Sequence, residues 1–182
     1  MKISPVLLAL LLIAPGTDQA AASTLPAAPS WHVYFSPQGG CTKAVVAAIQ
    51  KAKTDIHVAA YSFTSAPIAA ALRDAFRRGV KVEVVLDKSQ ETEHYSSATF
   101  LANAGISTSI DAVHAIMHNK FMVIDGSVVL TGSFNFTKAA EQKNAENLMV
   151  IQDSALAGQY LENWRTHRAH AHEYRGKIAS RS

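Results

Sequence analysis

The chain has 182 residues, 48% of them hydrophobic and 17% charged, with a mean hydropathy of +0.06. That is one domain's length with enough apolar material for a core; long disorder is excluded, and six Pro and nine Gly exclude collagen-like and proline-rich classes. The single cysteine, Cys41, excludes an internal disulfide framework and a cysteine-cluster zinc site, while a net charge of +3 and a pI near 9.0 suit an anionic partner without specifying one.

Lys2 precedes the apolar run Val6 to Ala14, then Pro15-Gly16 and the small residues Ala20-Ala21-Ala22-Ser23. A basic start, a short apolar stretch and an Ala-x-Ala site predict a signal peptide over 1–22, cleaved after Ala22, and the run is too short to span a bilayer comfortably. An uncleaved membrane anchor is the competing reading. Residues 23–30 read as a flexible lead-in, 31–175 as one catalytic domain and 176–182 as a tail. Cleavage removes Lys2 and Asp18, one charge of each sign, so the net charge stays +3. The mature product is expected to be periplasmic or secreted, with no stable membrane association.

Trp31 to Phe35 reads as a strand, and Thr42 to Lys53 as a helix with Val45, Ala48, Ile49 and Ala52 on one face. Cys41, at the helix start, reads as a small filling residue rather than a catalytic thiol, since no His or Asn partner lies nearby. Asp55 to Tyr61 is a strand. A helix with Pro67 in its first turn buries Ile68, Leu72 and Phe76 and stops at Gly79. Val80 to Leu86 is a strand, and a weaker helix spans Ser97 to Ala104. This rhythm predicts an α/β fold, an α-β-α sandwich whose mixed, mostly parallel central sheet is flanked by helices. Further on, Ile116 to Ile124 and Val128 to Thr131 flank the hairpin signal Asp125-Gly126. A short helix over Thr137 to Lys143, a strand over Leu148 to Ile151 and a long helix from Ala155 to about His172 complete the chain.

The chemistry gathers around that hairpin. His118 and Lys120 are two apart, so a strand points both to one face, and Ser133 and Asn135 repeat the spacing just past the partner strand. Folding the hairpin brings an imidazole, an ammonium, a hydroxyl and an amide together. Gly132, without a Cβ, would let backbone approach an anion closely. Glu146 could reach a His ring nitrogen and fix its tautomer. Such a group suits phosphodiester chemistry. Lys and neutral donors hold charge on the non-bridging oxygens, a neutral His attacks phosphorus, and a second imidazole protonates the leaving alkoxide.

The spacing H-x-K-x4-D-x6-G-S-x-N, complete in His118, Lys120, Asp125, Gly132, Ser133 and Asn135, resembles the signature of the phospholipase D superfamily. Six fixed positions at ~5% each arise by chance in such a chain only a few times in a million. Ala59-Ala60-Tyr61-Ser62-Phe63-Thr64, Arg78-Gly79-Val80 and Val84-Val85-Leu86-Asp87 add likeness to its small, single-motif periplasmic endonuclease branch, over about residues 31–170. The resemblance implies a reaction that needs two copies of the motif, and this chain holds one. It therefore implies a homodimer with the active site on the two-fold axis. One His118 would attack phosphorus and the other would protonate the leaving group. Lys120 and Asn135 would grip phosphate oxygens, Ser133 would add a hydrogen bond and Glu146 would orient His118. No metal and no cofactor is expected. Nucleic acid is the expected substrate, cut without sequence preference because backbone phosphates carry no base information. A phospholipase D acting on phosphatidyl head groups is the alternative, and a nucleic-acid-binding protein with a dead motif is the third reading.

Other residues have plainer readings. Asp125, in the turn, is expected to brace the hairpin rather than touch substrate. Ser133 divides between phosphate contact and local capping. His114 reads as a solvated loop residue. The stretch with Arg165, His167, Arg168, His170, His172, Arg175, Lys177 and Arg181 reads as a solvated basic helix end, because no carboxylate pattern accompanies its histidines. Trp164 and Tyr160 read as core packing.

Overall fold

A computed structural model describes residues 28–176. The signal peptide expected over 1–22, most of the lead-in, and the tail beyond 176 lie outside the described residues. Eight strands form one sheet: β1 (Ser30–Ser36), β2 (Asp55–Ala60), β3 (Lys81–Asp87), β4 (Ser107–Asp111), β5 (Lys120–Ile124), β6 (Val128–Gly132), β7 (Glu146–Gln152) and β8 (His172–Glu173). Six helices connect them: α1 (Cys41–Lys51), α2 (Ala66–Arg77), α3 (Ser89–Thr92), α4 (Ala98–Asn103), α5 (Lys138–Gln142) and α6 (Ser154–His170). The sheet order is β1-β7-β6-β5-β2-β3-β4-β8. The sheet is mixed. Its parallel strand pairings join β2 to β3 and β3 to β4, and the other five strand pairings are antiparallel, so the sheet is not mostly parallel as expected: the β5-β6-β7 meander and the edge strands β1 and β8 all pair antiparallel.

Both faces of the sheet are covered, which gives the α-β-α layering. On one face Val45 and Ile49 of α1, Ile68 and Leu72 of α2 and Leu101 of α4 pack on Ile56, Val58, Val84, Leu86, Met122 and Leu130. On the other, Ala157 and Trp164 of α6 cover Ala59, Val85, Phe121, Val123 and Val129. Period-2 alternation therefore sends neighbouring strand residues into two different cores. Trp164 also donates its indole N–H to the Val58 carbonyl at 2.9 Å, satisfying the one polar atom it buries. Cys41 is fully buried at the start of α1, and burial, reinforced by the Glu141 charge, pushes its thiol up to about 11. Glu141 caps that helix from α5, accepting from the Gly40 and Thr42 amides at 3.1 and 2.6 Å.

The hairpin forms at Asp125-Gly126. Both residues take positive φ, 51° and 57°, and Ser127 N–H closes the turn on the Ile124 carbonyl at 3.1 Å. Its aspartate does more than turn the chain. The Asp125 carboxylate accepts the backbone amides of Lys53, Thr54 and Asp55 and the Thr54 hydroxyl, at 2.8–3.2 Å, tying the hairpin tip to the loop that opens β2. Burial works to raise its pKa, but these donors outweigh burial and hold it below the ordinary range. Asp125→Ala is expected to cost about 2 kcal/mol by orphaning those amides. A depressed folded pKa means the contribution is complete above the unfolded value of ~3.9 and fades as pH falls below it. Thermal melts of both proteins from pH 7 to pH 3 should therefore converge at the acid end. A gap that stays constant would contradict the assignment.

Candidate active site

The site lies at the carboxyl end of β2, a usual place for ligands in sheets with a parallel core. Ala60, the last residue of β2, pairs with Lys120, the first of β5. The Tyr61 amide continues the ladder onto the Asn119 carbonyl at 2.8 Å, and Phe63 bridges to Phe136. The segment 61–64 thus runs between the two halves of the motif, and the sheet itself fixes their separation.

His118 is exposed and its ring rests against Tyr61, with centroids 4.6 Å apart at 58°. No hydrogen bond joins that ring to another side chain among the described residues. Lys120 is 9% exposed; its Nζ donates to the His118 carbonyl at 2.9 Å and sits 5.1 Å above the Tyr61 ring. Burial lowers the Lys120 pKa, while the nearby charge of Glu146 pulls it back up. A cation stripped of water with one carbonyl for company is stabilised by an arriving anion. Asn135 Oδ1 is buried without a hydrogen-bond partner; it is an acceptor, so only the NH2 of that amide can serve an anion. Tyr61, which composes the floor under both His118 and Lys120, was not singled out from sequence. Its signals in the sequence are its place at the end of the predicted strand and within the stretch 59–64 that carries the resemblance.

Gly132 and Glu146 turn out differently from their sequence readings, and Ser133 takes the second of its two. The space a Gly132 side chain would occupy belongs to the neighbouring strand, not to an anion. With φ at 149°, a Cβ would sit 2.3 Å from the Asn147 carbonyl oxygen. Ser133 Oγ accepts the Asn147 amide at 3.1 Å and its side-chain NH2 at 3.4 Å, which is local capping. Glu146 does not meet His118. Its carboxylate accepts from Asn144 at 3.1 Å and reaches Lys120 only through its field.

A different histidine cluster does meet a carboxylate. His114, His167 and His170 all converge on Asp111, which is fully buried at the end of β4. This corrects the readings of His114 as a solvated loop residue and of the α6 end as merely solvated. The acid lies 56 positions before His167 and 59 before His170, in the polar stretch Ser107–Asp111, which carries no element in the sequence reading and is strand β4.

An exposed imidazole and a buried ammonium at one strand end of an α-β-α sheet suit phosphodiester chemistry. The chain belongs to the phospholipase D superfamily and is a phosphodiester hydrolase of it: the family described as cardiolipin synthase, PLD-like domain, matches residues 45–167. A protein named phospholipase D from Rickettsia bellii is 45% identical over 135 residues, 74% of this chain and 67% of that protein. Mitochondrial cardiolipin hydrolase from Xenopus laevis is 36% identical over 113 residues, 62% of this chain and 54% of the other. Among solved structures, the phospholipase D family member Nuc from Salmonella typhimurium superposes with a TM-score of 0.79 at 42% identity, covering 81% of this chain and 99% of that one. NucT from Helicobacter pylori shares the fold, with a TM-score of 0.75 at 22% identity, over 80% of this chain and 99% of its own.

Proposed function

We propose that the chain is a sequence-nonspecific endonuclease that hydrolyses DNA through a phosphohistidine and works as a two-fold dimer. The observation that carries this is the half-site itself: one exposed His118 ring on Tyr61 with Lys120 buried against the same ring, and, among the described residues, no second imidazole in contact with it to serve as acid. A copy of the chain supplies that imidazole. One His118 attacks phosphorus and expels the alkoxide, which takes a proton from the other His118. That second imidazole, now neutral, activates water, and the phosphohistidine bond breaks. Both Lys120 ammonium groups and both Asn135 amides hold the non-bridging oxygens, and none of these contacts reads a base. The export expected from residues 1–22 places the enzyme in the periplasm or outside the cell. Among the described residues no helix is long and apolar enough to cross a membrane.

A phosphatidyl substrate is the second reading, and one observation favours it. Val113 and Ile116 are 67% and 55% exposed in the loop that leads into His118, an apolar surface not evident from sequence and suited to acyl chains. Plasmid DNA and cardiolipin vesicles, each incubated with pure protein and no added divalent metal, separate the two. Plasmid nicking with intact vesicles is the expected result; vesicle hydrolysis without nicking would install the lipid reading. The nicking rate should trace a bell against pH, since one His must be neutral and the other charged. A rate flat from acid to strongly alkaline pH would remove the two-imidazole scheme.

A further inference from the structure

The Asp111 cluster has the geometry of a metal centre. One carboxylate oxygen, Asp111 Oδ2, has His114 Nδ1 at 3.0 Å, His167 Nδ1 at 2.8 Å and His170 Nε2 at 3.0 Å. One ligand atom from each of the four residues fits within 4.8 Å of all the others. Around a tetrahedral zinc ion with bonds of ~2.0–2.2 Å, neighbouring ligand atoms are roughly 3.3 Å apart. The Asp111 oxygen is already within a few tenths of an ångström of that spacing from each nitrogen, and the ring nitrogens, at most 4.8 Å apart, close on an ion by rotation of their side chains.

Hydrogen bonding alone is a poor account of this geometry. A carboxylate oxygen offers about two in-plane lone-pair directions, and here three ring nitrogens crowd a single oxygen. The other oxygen takes the Val113 amide at 3.1 Å and only a longer approach, 3.3 Å, from His114. The three rings are also packed together, with centroids 5.1, 5.2 and 5.7 Å apart, so charging all of them would set like charges side by side. A shared divalent cation removes both difficulties, because it takes the nitrogen lone pairs and needs the rings neutral.

The framework is prepared for such an ion. Side-chain exposure is 0% for Asp111, 11% for His167, 29% for His170 and 45% for His114, so the shell is anchored inside and open to loading from one side. His167 and His170 stand at i and i+3 on the last turn of α6, and Asp111 and His114 repeat that spacing at the end of β4. Behind His167 the outer ring nitrogen, Nε2, lies 3.0 Å from the Asn119 side-chain amide; turned about its last bond, that amide accepts the ring N–H, the usual support for a metal-bound imidazole.

We propose that Asp111, His114, His167 and His170 bind one zinc ion, a closed structural centre of the histidine-carboxylate type. It fastens the last turn of α6 to the end of β4 and to the loop that delivers His118. All four positions are filled by protein, so the ion has no open site for water or substrate, and it takes no part in phosphoryl transfer. Asn119 sits between His118 and Lys120, which links the centre to the strand that carries the motif. The inference rests on this cluster alone and is independent of the nuclease reading.

Tag-free protein, expressed with zinc in the medium and dialysed, should carry about one zinc per chain by elemental analysis. Stripping it with a chelator should lower the melting temperature by several degrees, and one equivalent of zinc should restore it. Cobalt added to the stripped protein should give the intense visible absorption of a tetrahedral ion. The double variant His114→Ala/His170→Ala removes the two more exposed ligands and should lose the metal, the cobalt band and the zinc-dependent rise in melting temperature, while its circular dichroism stays that of a folded chain. His118→Ala should keep all three. Three results would each overturn the proposal: wild-type protein that neither retains zinc nor responds to an added equivalent; a double variant that binds as wild type does; or a His118→Ala variant that loses the metal.

Discussion

Alanine at His118 should abolish plasmid nicking, with a loss of at least ~10⁴-fold, because the same substitution deletes the nucleophile on one side of the phosphate and the proton donor on the other. The variant should melt like the parent, since the ring is exposed and rests on Tyr61 without a hydrogen bond among the described residues. Mixing sharpens the experiment. If wild-type and His118→Ala chains are unfolded together in equal amounts and refolded, random pairing leaves about one quarter of the dimers with two imidazoles. The expected activity is therefore about 25% of that of an undiluted wild-type sample. Independent single-chain sites would give about 50%, and that result would end the shared-site scheme. A His118→Ala variant that nicks DNA at near-normal rate would remove the histidine from the reaction altogether.

The largest loss of stability is expected from Gly132→Ala. The added Cβ would lie 2.3 Å from the Asn147 carbonyl oxygen and 2.8 Å from its side-chain oxygen, at a φ of 149° that L residues rarely adopt. Backbone, unlike the end of a long side chain, has little room to yield. Strain at such a conformation costs about 1–3 kcal/mol, and the clash adds to it. A total of roughly 4 kcal/mol lowers the melting temperature of a domain this size by about 10 °C. Differential scanning calorimetry reads this directly. A shift below about 2 °C would mean that β7 can move aside, and the close-approach account of this glycine would fall.

Much of this was legible in the sequence. Helices α1, α2 and α6, strands β2 and β3 and the hairpin all announce themselves through period, caps or a turn dipeptide. Phe121, Val123 and Val129 on one face and Met122, Ile124 and Leu130 on the other make β5 and β6 apolar throughout, as strands between two helical layers must be. Strand β4 was illegible for the opposite reason. Its Ser107-Thr108-Ser109 opening mimics a loop, and only its neighbours β3 and β8 make it a strand. That one omission also hid Asp111, and with it the company His167 and His170 keep. Gly132 shows another limit. Spacing identified the position, but the reason for a glycine lies in Asn147 on the next strand, a contact no local pattern encodes. Nor could spacing tell that Glu146 would find Asn144 rather than His118.

Strand β2 is held on one side by β3 running the same way and on the other by β5 running the opposite way. Sliding β2 by a single residue would exchange its two faces, driving each side chain into the core shaped for its neighbour. The pairing of Ala60 with Lys120 is consequently locked from two directions, and no small fluctuation separates Tyr61 from the residues above it. Denaturant that disturbs this corner must open the sheet, so the reactive groups and the fold should disappear together as one cooperative unit.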